Sequence, residues 1–103
     1  MADRAFRSLL GSCRADGVPV AVVWLPESSE FRAGYSPESE AATTAYWHRL
    51  TREEGVPGID LRSRMPDRYL PDGFHLTQSG AAAFAPVFAA ELRRAFPDYG
   101  GDE

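Results

Sequence analysis

The chain has 103 residues, a formal net charge of -4 and 44% apolar residues, which allows one domain at most, with a core of ordinary apolar content. Its mild acidity argues against nucleic acid or an anionic membrane surface as the main partner, because both demand concentrated positive charge. A single cysteine, Cys13, excludes an intrachain disulfide. The 11 basic residues are all arginines and form no run, a compositional bias rather than a set of recognition sites. The apolar runs are too short to span a bilayer. Met1-Ala2-Asp3-Arg4 leads into an amphipathic pattern without a signal-peptide core. A cytoplasmic protein is the expectation for the sequence as written, and a secreted or periplasmic one if a signal precedes it.

Asp3 is placed to cap a first helix running to about Arg14. Phe6, Leu9, Leu10 and Cys13 share one face of it at i, i+3, i+4, i+7. On that stripe Cys13 reads as a small hydrophobe rather than a reactive thiol. Asp16-Gly17 ends the helix with turn chemistry. Val18 to Leu25 reads as a strand. It is apolar without alternation, as in a parallel sheet covered on both faces, and Pro26 stops it. Glu27 to Tyr35 is a polar loop. Ser36-Pro37-Glu38 starts a second helix with a capping hydroxyl, a first-position proline and an acid in the first turn. That helix carries Ala41, Ala45, Trp47 and Leu50 and stops at Gly55. Val56 to Leu61 is a second short strand of the buried type, and Arg62 to Phe74 is a loop. Thr77 caps a last helix carrying Phe84, Val87, Phe88 and Leu92, which frays after Phe96. Pro86 within it predicts a kink or a late start near Ala85. Residues 98–103 read as a disordered tail, leaving 1–97 as one domain.

The order α-β-α-β-α predicts an α/β fold with a small parallel sheet between helices. Sites in such sheets lie beyond the carboxyl ends of the strands. Glu27 to Ser29 follow one strand end and Asp72 and His75 follow the other, so both are expected on one rim. Two strands make a poor parallel sheet, since buried strands need neighbours along their edges. The chain is expected either to associate through those edges or to belong to a larger sheet.

The chemistry concentrates in Asp72-Gly73-Phe74-His75. An imidazole titrates near neutrality, so it can take and return a proton. A carboxylate three residues earlier can fold back, accept a hydrogen bond from the ring and hold one tautomer. Together they make two thirds of a nucleophile–base–orienter triad.

The stretch Val56-Pro57-Gly58-Ile59-Asp60-Leu61, followed by Asp72-Gly73-Phe74-His75-Leu76-Thr77-Gln78-Ser79-Gly80, resembles the C-terminal end of the SGNH (GDSL-like) hydrolase family. That family has a strand, a loop, an Asp-x-x-His-Leu segment, polar residues and a glycine opening the last helix. The resemblance covers roughly residues 4–96. It implies the C-terminal part of a three-layer α/β/α (flavodoxin-like) fold that hydrolyses esters or related acyl groups. By the resemblance His75 is the general base and Asp72 its orienter. The family's Gly-Asp-Ser nucleophile segment does not occur here, and the chain contains no asparagine for the oxyanion site. Gly11-Ser12-Cys13 falls on the first helix, the wrong context for the nucleophile. Joint absence of these N-terminal elements is expected of a C-terminal half.

Glu27, Ser28 and Phe74 are the candidates for substrate contact, the substrate being a small-molecule, carbohydrate or lipid ester. Ser28 and Ser29 follow a strand end and are weighed as alternative nucleophiles against plain loop serines. Glu27 is weighed as a solvated carboxylate, His48 as a structural histidine and Trp24 as a core residue. Arg62, Arg64 and Arg68 read as a solvated loop partly offset by Asp67 and Asp72. Spacing suggests no metal site from His48, Asp72 and His75, and no cofactor is expected. The expected partner is the missing hydrolase half, with self-association as the non-catalytic alternative.

Overall fold

Asp3 lies inside the first helix rather than at its cap. The computed structural model describes residues 2–98, and helix α1 spans Ala2–Ala15. In the first turn the Asp3 carboxylate suits the positive end of the helix. It accepts hydrogen bonds from Arg7 one turn on at 2.9 Å and from the Tyr46 hydroxyl at 2.7 Å. Arg7 also reaches Glu53 and Glu54, and Arg14 bonds the Glu54 carbonyl at 3.0 Å. These contacts fasten α1 to helix α3 (Pro37–Glu54). The expected apolar stripe divides. Leu10 is buried against Leu50 and Val22, Cys13 is half-buried, and Phe6 and Leu9 remain exposed.

Strand β1 is Val22–Trp24 and pairs in parallel with β2, Gly58–Asp60. Val22 lies opposite Gly58, Val23 opposite Ile59 and Trp24 opposite Asp60. This sheet is shorter than the apolar run Val18 to Leu25 predicts. Pro19 and, on the partner side, Pro57 have no N–H to donate, and Val56 gives its N–H to the Thr51 carbonyl at the end of α3. Burial along β2 also alternates, with Ile59 covered and Gly58 and Asp60 exposed. Val22 donates to the Pro57 carbonyl and the Trp24 carbonyl accepts from Leu61, both at 2.9 Å. A parallel ladder uses alternate residues on each side. Val23 and Leu25 therefore turn their backbone groups to the outer edge of β1, where no strand among the described residues pairs with them.

Helix α3 forms as its caps predict. The Ser36 hydroxyl accepts from the Ser39 N–H at 3.0 Å, Pro37 opens the helix, and Gly55 closes it in the left-handed region. Two departures follow in the loops. Residues Ser29–Ala33 form a short helix, α2, where a polar loop is expected. Asp67–Tyr69 form a 3₁₀ turn in the second loop, which also buries Leu61, Met65 and Leu70. That loop is a packed part of the core rather than a solvated connection.

The last helix, α4 (Gln78–Ala95), runs through Pro86 without a late start. The Thr77 hydroxyl accepts from the Gly80 N–H at 3.0 Å and fixes its beginning. Pro86 and Ala82 are both exposed, so the carbonyl that the proline leaves without a partner can turn to water. A Cβ on Gly80 would lie 2.7 Å from the Cβ of Tyr69, so only glycine lets α4 approach the 3₁₀ turn this closely. Glu91 ties α4 to Arg64 at 2.9 Å.

The chain is mixed helix with a small parallel sheet, as the α/β reading expects. Its radius of gyration is 15.3 Å with extents of 41 × 40 × 17 Å, against about 13 Å for a compact chain of 100 residues. This is a flat slab with an open sheet edge. No helix among the described residues is long and apolar enough to cross a membrane. Of the expected tail, Asp98 lies in a turn and 99–103 are outside the described residues.

Candidate active site

The two strand ends are joined by backbone before any side chain is considered. Leaving β1, Glu27 donates its N–H to the Arg62 carbonyl at 2.9 Å, and Ser28 donates to the Gly73 carbonyl at 2.8 Å. Ser28 is 5% exposed. Its hydroxyl caps α2 by accepting from the Phe31 N–H at 3.0 Å. The expectation that both segments share one rim matches these bonds.

The turn that follows forces its own geometry. Gly73 donates to the Leu70 carbonyl at 3.0 Å. Its φ of 101° is open to glycine and strained for other residues. A Cβ there would also lie 2.7 Å from Cδ2 of Phe31. This turn lets one carboxylate make three bonds. Asp72 Oδ1 accepts from the N–H groups of Phe74 at 3.1 Å and His75 at 2.8 Å, and Oδ2 lies 2.5 Å from His75 Nδ1. Bonding to the His75 ring, then to the two backbone N–H groups, pulls the Asp72 carboxyl down to about 2. Asp72 is therefore ionised at neutral pH and can only accept, so a neutral His75 ring must carry its proton on Nδ1. Nε2 then presents a lone pair. The His75 side chain is 73% exposed, which leaves Nε2 open to an incoming group.

Phe74 links this pair to an adjoining groove. Its ring lies 4.4 Å from that of His75 and 5.4 Å from that of Phe31. The groove, about 430 Å³, runs along β1 and is lined by Phe6, Leu25, Glu27, Tyr46, Trp47 and Phe74 among others. Glu27 stands at this rim with one carboxylate oxygen engaged, accepting from the Tyr35 hydroxyl at 2.9 Å and from the Trp24 indole N–H at 3.5 Å. Burial, and then that carboxylate, push the Tyr35 phenol upward. The other Glu27 oxygen is buried without a partner.

The remaining candidates serve structure. Ser29 bonds Asp67 through both its N–H and its hydroxyl, which lowers the Asp67 carboxyl. With Ser28 capping α2, neither serine hydroxyl is directed to His75. Arg62 is not part of a solvated loop. Its guanidinium stacks 3.7 Å above the Trp24 ring and bonds Asp60 at 2.7 Å. Arg64 pairs with Glu91, and Arg68 lies over Tyr69 at 4.6 Å. Asp67 and Asp72 thus face Ser29 and His75, not the arginines they were expected to offset. Trp24 is half-buried beneath Arg62. His48 is exposed, its ring set edge-on to Trp47 with the ring centres 5.0 Å apart. No cluster of His, Cys, Asp or Glu suited to a metal occurs among the described residues.

Phe31 and the rest of α2 were missed in the sequence. The local signal was present in Ser28, an N-cap, followed by Glu30 in the first turn. Comparison with family models, with curated proteins and with solved structures gave no match.

Proposed function

We propose that this chain is the C-terminal part of an SGNH-type serine esterase or acyl hydrolase, with His75 as general base and Asp72 as its orienter. One observation carries the reading: Asp72 holds Nδ1 at 2.5 Å while the ring stays exposed. In that arrangement Nε2 takes the proton of a serine hydroxyl as its oxygen attacks the acyl carbon. The imidazolium, held by the ionised Asp72, then returns the proton to the departing alcohol. Water repeats the sequence to release the acid.

The serine and the oxyanion donors would come from a Gly-Asp-Ser- and Asn-bearing segment, upstream in the same polypeptide or in a second chain. The outer edge of β1 offers such a segment unpaired backbone at Val23 and Leu25. Apolar Phe6, Leu25 and Phe74 are exposed beside it. A strand added there would extend the sheet toward a three-layer α/β/α fold. Glu27 and Phe74 then stand where a small-molecule, carbohydrate or lipid ester would lie, and the reaction as proposed calls for no cofactor. Short-chain p-nitrophenyl esters test this. The joined protein should hydrolyse them and lose that activity with His75→Ala, and an unchanged rate would refute the role of His75.

The same open edge favours a second reading, a non-catalytic α/β module that associates through β1. Sedimentation of the isolated chain separates the two. A stable dimer supports self-association, and a compact monomer counts against it.

A further inference from the structure

We infer that Phe31 is the positioning residue for the Asp72–His75 pair, its ring holding the 72–75 turn in the shape that keeps Nδ1 on the carboxylate. The pair is a catalytic one only under the hydrolase reading above, whereas the contacts of Phe31 hold with or without that role.

The pair cannot rely on burial for its order, because the side chains of His75 and Asp72 are 73% and 49% exposed. Its own hydrogen bonds are all local, between residues two or three apart. Such bonds compete with water unless the backbone is held from elsewhere. On one side Leu70 supplies that hold, being buried while its carbonyl receives the Gly73 N–H. On the other side the contact is Phe31. Its Cβ, Cγ and Cδ2 crowd the place where a Gly73 side chain would begin, at 2.9, 3.1 and 2.7 Å. Its ring also meets Phe74 at 5.4 Å with a tilt of 60°. Phe31 is itself fixed twice. Its N–H bonds the Ser28 hydroxyl, and its ring packs edge-on against Tyr35 at 5.7 Å. Tyr35 is in turn tied to Glu27. A continuous run of contacts therefore leads from the end of β1 through α2 to the His75 ring.

The test is NMR on the full chain, following the titration of the Asp72 carboxyl and the His75 Nδ1–H signal. In the parent chain Asp72 should titrate at about 2. Phe31→Ala should move that midpoint upward toward the ordinary ~3.9 and broaden the Nδ1–H signal through exchange with water. Phe31→Tyr, which keeps the ring, should restore both. Phe84→Ala, which removes a ring stacked on Phe88 within α4, should leave both as they are. A folded Phe31→Ala protein with both signals unchanged would overturn the inference, as would Phe84→Ala moving them equally. If Phe31→Ala does not fold, Phe31→Leu carries the same test, with a partial upward movement expected and parent-like signals overturning it. Neither signal involves ester hydrolysis, so failure of the positioning role and failure of the hydrolase reading are told apart.

Discussion

The backbone N–H of Ser28 meets the carbonyl of Gly73 at 2.8 Å. This one bond fastens the segment leaving β1 to the turn that carries Asp72 and His75. Each side needs the other's geometry. Ser28 must stay extended to cap α2, and Gly73 must hold a positive φ to aim its carbonyl. The site is thus a junction of two loops whose shapes are set by backbone, with the exposed His75 ring placed on top.

Removing the ring of His75 should release Asp72. The His75 side chain is the largest cause of its low carboxyl value, and the two backbone bonds come next. His75→Ala should therefore raise the Asp72 midpoint from about 2, while the remaining bonds keep it below the ordinary ~3.9. The sign for stability follows, because a carboxyl lower in the folded than in the unfolded state favours folding above the unfolded value. That contribution fades as pH falls from about 4 toward 2. The parent chain should lose more stability over this interval than His75→Ala, as read by urea denaturation at each pH.

Gly73→Ala should destabilise the fold by about 1–3 kcal/mol, the cost of a non-glycine residue held in a disfavoured backbone region. The collision with Phe31 at 2.7 Å adds to it. In a Phe31→Ala background the ring contact disappears, while the contact with Cβ of residue 31 at 2.9 Å and the backbone term remain. The two substitutions should therefore be less than additive in a double-mutant cycle by urea denaturation.

Leu9 and Leu10 are neighbours with opposite fates, 60% and 2% exposed. Leu10→Ala should cost about 2–5 kcal/mol by opening a cavity against Leu50 and Val22. Leu9→Ala should stay within about 0.5 kcal/mol in the isolated chain. A large loss for Leu9→Ala would mean that this face of α1 is covered by another copy.

Leu25 is exposed on the open edge of β1. A charge there blunts strand pairing. Leu25→Lys should convert any dimer of the isolated chain to monomer in sedimentation. Under the proposed hydrolase reading, the same substitution should weaken docking of an upstream half.

The sequence was most informative where structure is decided locally. Ser36-Pro37 and Gly55 bound α3 through caps within a few residues, and Asp72 reaches His75 across a single turn. Long-range pairing was hidden. The apolar run Val18 to Leu25 carries no mark of where its partner strand ends, so β1 is shorter than its pattern. Arg62 gave no sign that it would stack on Trp24, a contact made only when both strand ends meet. At five residues, α2 is too short for a helical period to emerge. The mixed helix-and-sheet class was readable from alternation alone. The burial of Met65 and Leu70 was not, because isolated apolar residues in a loop form no pattern.

The most direct measurement is the rate of p-nitrophenyl ester hydrolysis by this chain joined to a Gly-Asp-Ser- and Asn-bearing upstream half, with and without His75→Ala. An Asp72-oriented base predicts turnover in the joined protein, none above buffer in the isolated chain, and a loss of about 10³–10⁴-fold or more with His75→Ala. A joined protein that hydrolyses the ester equally well without the imidazole would contradict the account.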